Sequence, residues 1–328
     1  MAYYSTVSRD YKTLLSITLD EILGSGMPED NVYENDPTLS MMRSSGNVKV
    51  IEGGDRIRIP IMTEEGGTFA WYSGLENLNI TPSEGSTTAW FTWKQAATSV
   101  ALSGLEARKN SGKAEIADIV KVRYGQAEAD MATGVATGLF SDGTGSANKQ
   151  LTGFEAAMET TPGSASYASI PVANTVWRNV AVASVGSAAT NLISNLRTTF
   201  NSCSKGRSAT SAPNLIVTTQ TVHEAFEAQF APRVRFQPNP SEGADAGIDK
   251  IKFKGADVIW DPFCTSGTMY VLNLAHIMLF VHRAANFTQS EEGFQKPIDQ
   301  DGLVSQIFFQ GNVAVNNRPK LGKMAGIT

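Results

Sequence analysis

Cysteine is scarce in this sequence. Cys203 and Cys264 are the only two in 328 residues, which excludes a disulfide framework and any paired-cysteine zinc spacing and fits a reducing cytoplasm. Histidine is nearly as rare. His223, His276 and His282 stand in no metal-ligand pattern such as HExxH, so structural or interface roles are expected of them. Charge is sparse as well: 27 Lys and Arg face 32 Asp and Glu, for a net charge of −5. That leaves no basic footprint for a helicase, polymerase or repressor. Long hydrophobic runs are missing too. The most apolar stretch, Tyr270 to Val281, is interrupted by Asn273 and His276 and is too short to cross a bilayer. The N-terminal MAYYSTVSRDYK lacks the basic start and apolar run of a secretion signal. A protein made in the cytoplasm is expected, with no membrane partner, no cofactor and no metal.

The motifs that would carry catalysis are equally thin. Residues 143–149, GTGSANK, look superficially like a phosphate loop. They lack the Gly-Lys-Ser/Thr ending and follow a helical pattern where such a loop follows a strand, so a turn is expected. Gly24-Ser25-Gly26 is no nucleophile elbow, because the preceding residues read as helix. Asp249, Asp257 and Asp261 have no metal-binding spacing and are expected at the surface or in turns. Glu64-Glu65 reads as a solvated pair.

What the sequence does have is small residues and a clear change of period. Leu14, Leu15, Leu19, Ile22 and Leu23 suggest one short helix, stopped by Gly24-Ser25-Gly26 and Pro28. The rest of residues 1–46, with Pro37 and polar surroundings, reads as an arm without a packed core. Ile57, Ile59 and Ile61 then alternate with Arg56, Arg58 and a strand-ending Pro60. Two more β-rich runs follow, Phe69 to Tyr72 and Trp90 to Trp93, separated by the polar residues 79–86. The pattern is a long hairpin with a polar tip, holding three of the five tryptophans.

From about residue 111 the spacing becomes helical. Ile116, Val120, Tyr124, Ala127, Met131 and Val135 form one stripe, ended by SDGTGS at 141–146. Residues 147–184 carry weak periodicity and no element is assigned there. Helices are expected over 187–202 and 221–230. Strands are expected at 215–218, 251–260, 269–281 and 304–315, with a loop at 238–247.

The ordered set GGDRIRIPI (53–61), TFAWY (68–72), FTWKQAA (91–97), VALSG (100–104) and NSGKAEIAD (110–118) resembles the major capsid proteins of tailed double-stranded DNA bacteriophages. So do the later KFKGADVIWD (252–261), YVLNLA (270–275) and QIFFQGNVAVNNRP (306–319). The resemblance implies an α+β chain of the Hong Kong 97 fold. In its terms residues 1–46 are an N-terminal arm and 47–110 an extended β-hairpin loop. Residues 111–184 are the spine helix and peripheral domain, 185–297 the axial domain, and 298–328 a returning strand of the peripheral domain. It implies a structural virion protein, not an enzyme, that assembles through pentamers and hexamers into an icosahedral head around DNA held without sequence-specific contacts. The arm helix begins almost at once, so a separate scaffolding protein is implied, with a portal and possibly a decoration protein as further partners.

Trp71, Tyr72, Trp90, Phe91 and Trp93 are the candidate inter-subunit contacts; the competing arrangement turns them onto the chain's own spine helix. Lys49 and Lys94 have no recognisable partner, so no Lys–Asn cross-link is expected. A cellular nanocompartment of the same fold and an unrecognised hydrolase are the alternatives. The long helix and the large mixed region after it disfavour a tail-tube protein.

Overall fold

The computed structural model describes residues 36–63, 68–81, 85–105, 113–204, 212–230, 251–289 and 293–328. The short helix expected at residues 14–23, the pair Glu64-Glu65, Asp249 and the loop at 238–247 lie outside the described residues.

The first described element corrects the coreless arm. Helix α1 (Pro37–Ser44) is capped by Asp36, whose side chain accepts from the backbone N–H groups of Thr38 and Leu39, and proline occupies its first turn. Thr38, Leu39 and Met42 form its buried face. Strand β1 (Val48–Ile51) follows and pairs in parallel with β10 (Ile277–Gln289).

The predicted hairpin forms from β2 (Ile57–Met62) and β3 (Ser86–Phe91), paired from Ile57 opposite Phe91 to Met62 opposite Ser86. Burial along β2 alternates strictly, placing Ile57, Ile59 and Ile61 inside. Pro60 does not end this strand. The Thr63 N–H donates to the Gly85 carbonyl, so odd-numbered amides face β3, and Pro60 sits where β2 has a free edge and needs no donor. The run from Phe69 to Tyr72 is not a strand; residues 68–81 connect β2 to β3 without regular structure.

Strand β4 (Lys94–Ser103) then pairs antiparallel with β11 (Gly302–Val315), and the four-stranded sheet has the order β1-β10-β11-β4. The expected long helix is α2, Lys113–Leu139, of 27 residues, or roughly 40 Å at ~1.5 Å per residue. Ala127, Met131 and Val135 of the predicted stripe are buried. Arg123 ties the helix to β4 by donating to the Ala101 carbonyl at 2.9 Å. The helix stops where expected, in the turn containing Gly143 and the left-handed residues Ser146, Ala147 and Asn148. A second short helix, α3 (Phe154–Ala157), packs against that end. A Cβ on Gly153 would lie 2.2 Å from the Leu139 carbonyl oxygen, so only glycine permits this approach.

The six-stranded sheet has the order β5-β12-β9-β6-β8-β7. Its strands are β5 (Val180–Val182), β6 (Leu215–Thr218), β7 (Ile251–Phe253), β8 (Ala256–Trp260), β9 (Met269–Leu272) and β12 (Gly322–Met324). Helices α4 (Ala188–Cys203) and α5 (Gln220–Phe230) cover one face, where Leu192, Leu196, Phe200 and Phe226 meet Ile216, Met269 and Val271. The alternate residues, Leu215, Val217, Tyr270 and Leu272, point the other way and join the main core with Ile277, Leu279 and Phe309.

Three boundaries differ from the sequence reading, the first being 251–260, which is a hairpin of β7 and β8 turning at Lys254-Gly255. Residues 269–281 are two strands in different sheets, not one, because the Asn273 side chain accepts from the Ala275 N–H and turns the chain through a short 3-10 helix at Leu274–His276. The segment 298–328 is likewise shared, β11 entering the four-stranded sheet and β12 the six-stranded one. Ion pairs tie α3 and the segment after it to the six-stranded sheet and to the turn that leads into β12. Arg318 donates to the carbonyls of Ala157 (2.7 Å) and Trp177 (3.3 Å) and to Glu159 (3.2 Å), and its guanidinium lies 4.8 Å from the Tyr167 ring. Lys323 pairs with Glu155, whose other oxygen accepts from the Tyr270 hydroxyl.

Candidate assembly interface

The hairpin places the five candidate contacts in two environments. Phe91 is only 3% exposed, in the main core, and meets Tyr167 edge to face at 5.6 Å between ring centres. Its burial within its own chain removes it from the surface offered to a neighbour. Trp93 is partly buried against the same core; its indole N–H donates to the Gly54 carbonyl at 2.8 Å, and its ring meets that of His282 at 5.7 Å. Trp90, half-buried on the opposite side of β3, lies under the guanidinium of Arg58 at 4.4 Å, with Arg56 at 5.8 Å. These three residues sit on or beside the paired strands, where the rest of the chain can reach them.

Trp71 and Tyr72 lie beyond the last pair of the hairpin. Trp71 is 90% exposed, and Phe69, 82% exposed, meets it edge to face at 5.5 Å. Leu75, Leu78 and Ile80 are also exposed, so six large apolar side chains lie bare within twelve residues. Local hydrogen bonds shape the segment: Ser73 N–H donates to Glu76 and Thr81 N–H to Asn79. The tip is therefore apolar as well as polar. Sequence reasoning missed Leu75, Leu78 and Ile80, although their spacing in LENLNI was visible; the intervening Glu and Asn residues made the segment read as solvated.

The scale of this patch separates it from ordinary surface. Large aromatic and aliphatic side chains bury about 150–250 Å² each when covered. Phe69 and Trp71 meet, and the four other exposed side chains follow them along the same irregular segment, a concentration of bare apolar residues that marks interaction surfaces.

The other singled-out residues are engaged locally. His223 lies 3.6 Å from Glu227 one turn along α5, and His276 shares a hydrogen bond of 2.8 Å with Asn316. Lys94 donates to the Asn148 carbonyl. Asp257 pairs with Lys252 at 3.2 Å. Asp261 departs from its expected surface position: it is 1% exposed and accepts from the Thr38 hydroxyl at 2.6 Å. Cys264 is buried, and desolvation pushes its thiol up to about 12, which keeps it protonated and unreactive at neutral pH. A groove of about 440 Å³ runs between α2 and β4; its walls include Ala96, Ala97, Gly134 and Gly138, and Asp130 is the one carboxylate lining it. Among the described residues no group of three or more His, Cys, Asp or Glu could hold a metal ion, and no helix is long and apolar enough to cross a membrane.

No family model matches the chain, and no curated protein matches it in sequence. Solved structures do match it in fold. The capsid of cyanophage A-1(L) aligns with a TM-score of 0.62 at 14% identity, over 88% of this chain and 93% of that one. The capsid of a native GTA particle aligns at 0.60 and 12% identity, over 88% and 90%. The holo-SrpI encapsulin complex from Synechococcus elongatus PCC 7942 aligns at 0.52 and 10% identity, over 86% and 85%. With its long helix beside a four-stranded sheet, its projecting hairpin and its second, helix-covered sheet, this chain has the Hong Kong 97-type capsid fold.

Proposed function

We propose that this chain is a shell subunit, the major capsid protein of a phage head, that assembles through pentamers and hexamers into an icosahedral container for double-stranded DNA. The observation that carries the reading is the hairpin tip. Its exposed apolar side chains lie past the last rung of β2 and β3, where their own chain does not cover them, and a second copy of the same chain supplies cover at no cost in new protein. Each tip contact is modest alone and is repeated at every position of a closed shell, so the assembly is stable although no single interface is. The mild net negative charge suits a wall that surrounds DNA without gripping it. A scaffolding protein, a portal and a decoration protein complete the reading as partners, with the virion as location.

The proposed shell role asks for no catalytic group. The groove beside α2 has a single carboxylate and no histidine among its lining residues, and the buried thiol, carboxylates and ammonium are turned into the fold. The second reading is a nanocompartment shell, favoured by the alignment with an encapsulin at a TM-score of 0.52; the phage and GTA capsids align more closely, at 0.62 and 0.60.

Negative-stain electron microscopy of the purified chain, expressed alone and with a neighbouring scaffold gene, tests the proposal. Closed icosahedral shells or rings of five and six are expected, and particle diameter with the presence of a portal distinguishes phage head from nanocompartment. A uniform monomer or small oligomer under both conditions would overturn self-assembly as the function.

A further inference from the structure

Helix α1 is held to the fold through two carboxyl groups that face each other in the interior. Asp36 is 2% exposed and Asp261 1% exposed. One Asp36 oxygen accepts from the N–H groups of Thr38 at 2.8 Å and Leu39 at 3.3 Å. Its other oxygen, Oδ2, is buried without a hydrogen-bond partner, and Thr38, whose N–H donates to Asp36 and whose hydroxyl donates to Asp261, holds the two carboxyls as neighbours. Each Asp261 oxygen already accepts one bond, Oδ1 from the Phe263 N–H at 2.9 Å and Oδ2 from the Thr38 hydroxyl at 2.6 Å, and keeps a lone pair for one more. Two carboxylates cannot face each other in a dry site without a cation or a proton between them.

Among the described residues, no cation acts on the Asp36 carboxyl. Cys264, on the loop after β8, adds a thiol on the Asp261 side, and beyond it stand Glu155 of α3 and Tyr270 of β9. Lys323 of β12 is engaged by Glu155. On α1 itself, Arg43 lies in the last turn, at the end away from the cap.

We infer that the Asp36–Asp261 pair is a proton-controlled clasp, in which one shared proton holds helix α1 against the loop after β8 and its loss releases the helix. The closed state has Asp36 donating its carboxylic O–H to Asp261 while Asp36 still caps the helix. In the open state the proton has gone to solvent, and the two negative charges separate by lifting α1 and its buried Leu39 and Met42 off the core. Burial first, then the hydrogen bond and charge of Asp261, push Asp36 from 3.8 up to about 8. Between those values the folded chain holds a proton that the unfolded chain has lost, so stability falls as pH rises across that window and is unaffected by this pair above it. The clasp is thus closed in mildly acid and neutral solution and opens in alkali. It belongs to the single chain and does not depend on shell assembly.

Hydrogen exchange by mass spectrometry on the full chain tests the clasp, using protection factors corrected for the intrinsic pH dependence of exchange. Amides of residues 39–44 are expected to lose at least about tenfold in protection between about pH 6 and about pH 9.5, while those of β6 and β9 keep theirs. Asp36→Asn retains the acceptor for Thr38 and Leu39 and offers an N–H to Asp261 where the shared proton stood, so its helix is expected to stay protected at both pH values. Asp36→Ala is expected to be unprotected at both. A flat wild-type profile overturns the inference, as does an Asp36→Asn variant that loosens in alkali like the wild type. Parallel loss of protection in β6 and β9 would also overturn it, because the chain would then be unfolding as a whole.

Discussion

Replacing Trp71 with alanine separates what the tip contributes to folding from what it contributes to assembly. In the isolated chain Trp71 is 90% exposed and touches Phe69 edge to face, a pairing worth about 0.5–1.5 kcal/mol when both rings are ordered and less at a solvent-facing site. The thermal midpoint of the unassembled chain is therefore expected to move by less than about 2 °C. Covered by a neighbour, the same indole would remove on the order of 200 Å² from water, a ceiling of about 5 kcal/mol at ~25 cal/mol per Å². Ordering the tip and incomplete cover reduce that to about 2–3 kcal/mol, the scale of an interface hot spot. On the proposed shell reading, with each subunit giving one tip and receiving one, the loss counts once per subunit and raises the concentration needed for assembly by roughly 30- to 140-fold. Light scattering against protein concentration, with size-exclusion chromatography of the unassembled fraction, reads this threshold. Phe91→Ala is the contrast: buried in its own chain, it is expected to cost about 3–5 kcal/mol of fold stability. An unchanged threshold in Trp71→Ala, or a threshold shift accompanied by a stability loss like that of Phe91→Ala, would refute the separation.

Arg318→Met leaves the Ala157 and Trp177 carbonyls and the Glu159 carboxylate without their buried donor; a loss of about 3–5 kcal/mol is expected from urea denaturation, and less than 1 kcal/mol would show that water replaces the guanidinium. Gly153→Ala drives a methyl into the Leu139 carbonyl at 2.2 Å and is expected to cost about 1–3 kcal/mol. Gly134→Ala, within α2 and with open space around it, is expected to raise stability by about 0.5–1 kcal/mol; equal effects at the two positions would contradict the packing described at the α2–α3 junction.

Local periodicity made part of this fold legible. The alternation of Ile57, Ile59 and Ile61 and the four-residue spacing of Ala127, Met131 and Val135 are each produced by one face meeting one core, and such patterns survive in a single sequence. The break at Asn273 does not, because β9 and the start of β10 are buried on both faces and an unbroken apolar run looks the same whether it enters one sheet or two. The run Phe69 to Tyr72 reads as a strand for a related reason: aromatic preference for strands reflects packing on a pleated surface, and here there is no partner strand. Asp261 does open a turn, with the Cys264 N–H on its carbonyl, but its burial was not legible because Thr38 and Asp36, which meet it, lie more than 200 positions away and no local pattern links them.

The candidate interface was legible in residue type but not in membership, and the difference is informative. Phe69, Trp71, Phe91 and Trp93 have the same chemistry and lie within 25 positions of one another, so hydrophobicity ranks them together. The register sorts them. Met62 opposite Ser86 is the last rung of the hairpin; aromatics on the core side of it are reached by Tyr167, Gly54 and His282 of the same chain. Phe69 and Trp71, beyond it, meet each other and water. Distance past the last paired residue decides whether the chain itself can cover an apolar side chain, and on the proposed shell reading a neighbour covers those it cannot. That rule predicts contacts at Leu75, Leu78 and Ile80, which sequence reasoning passed over, and none at Phe91, which it chose.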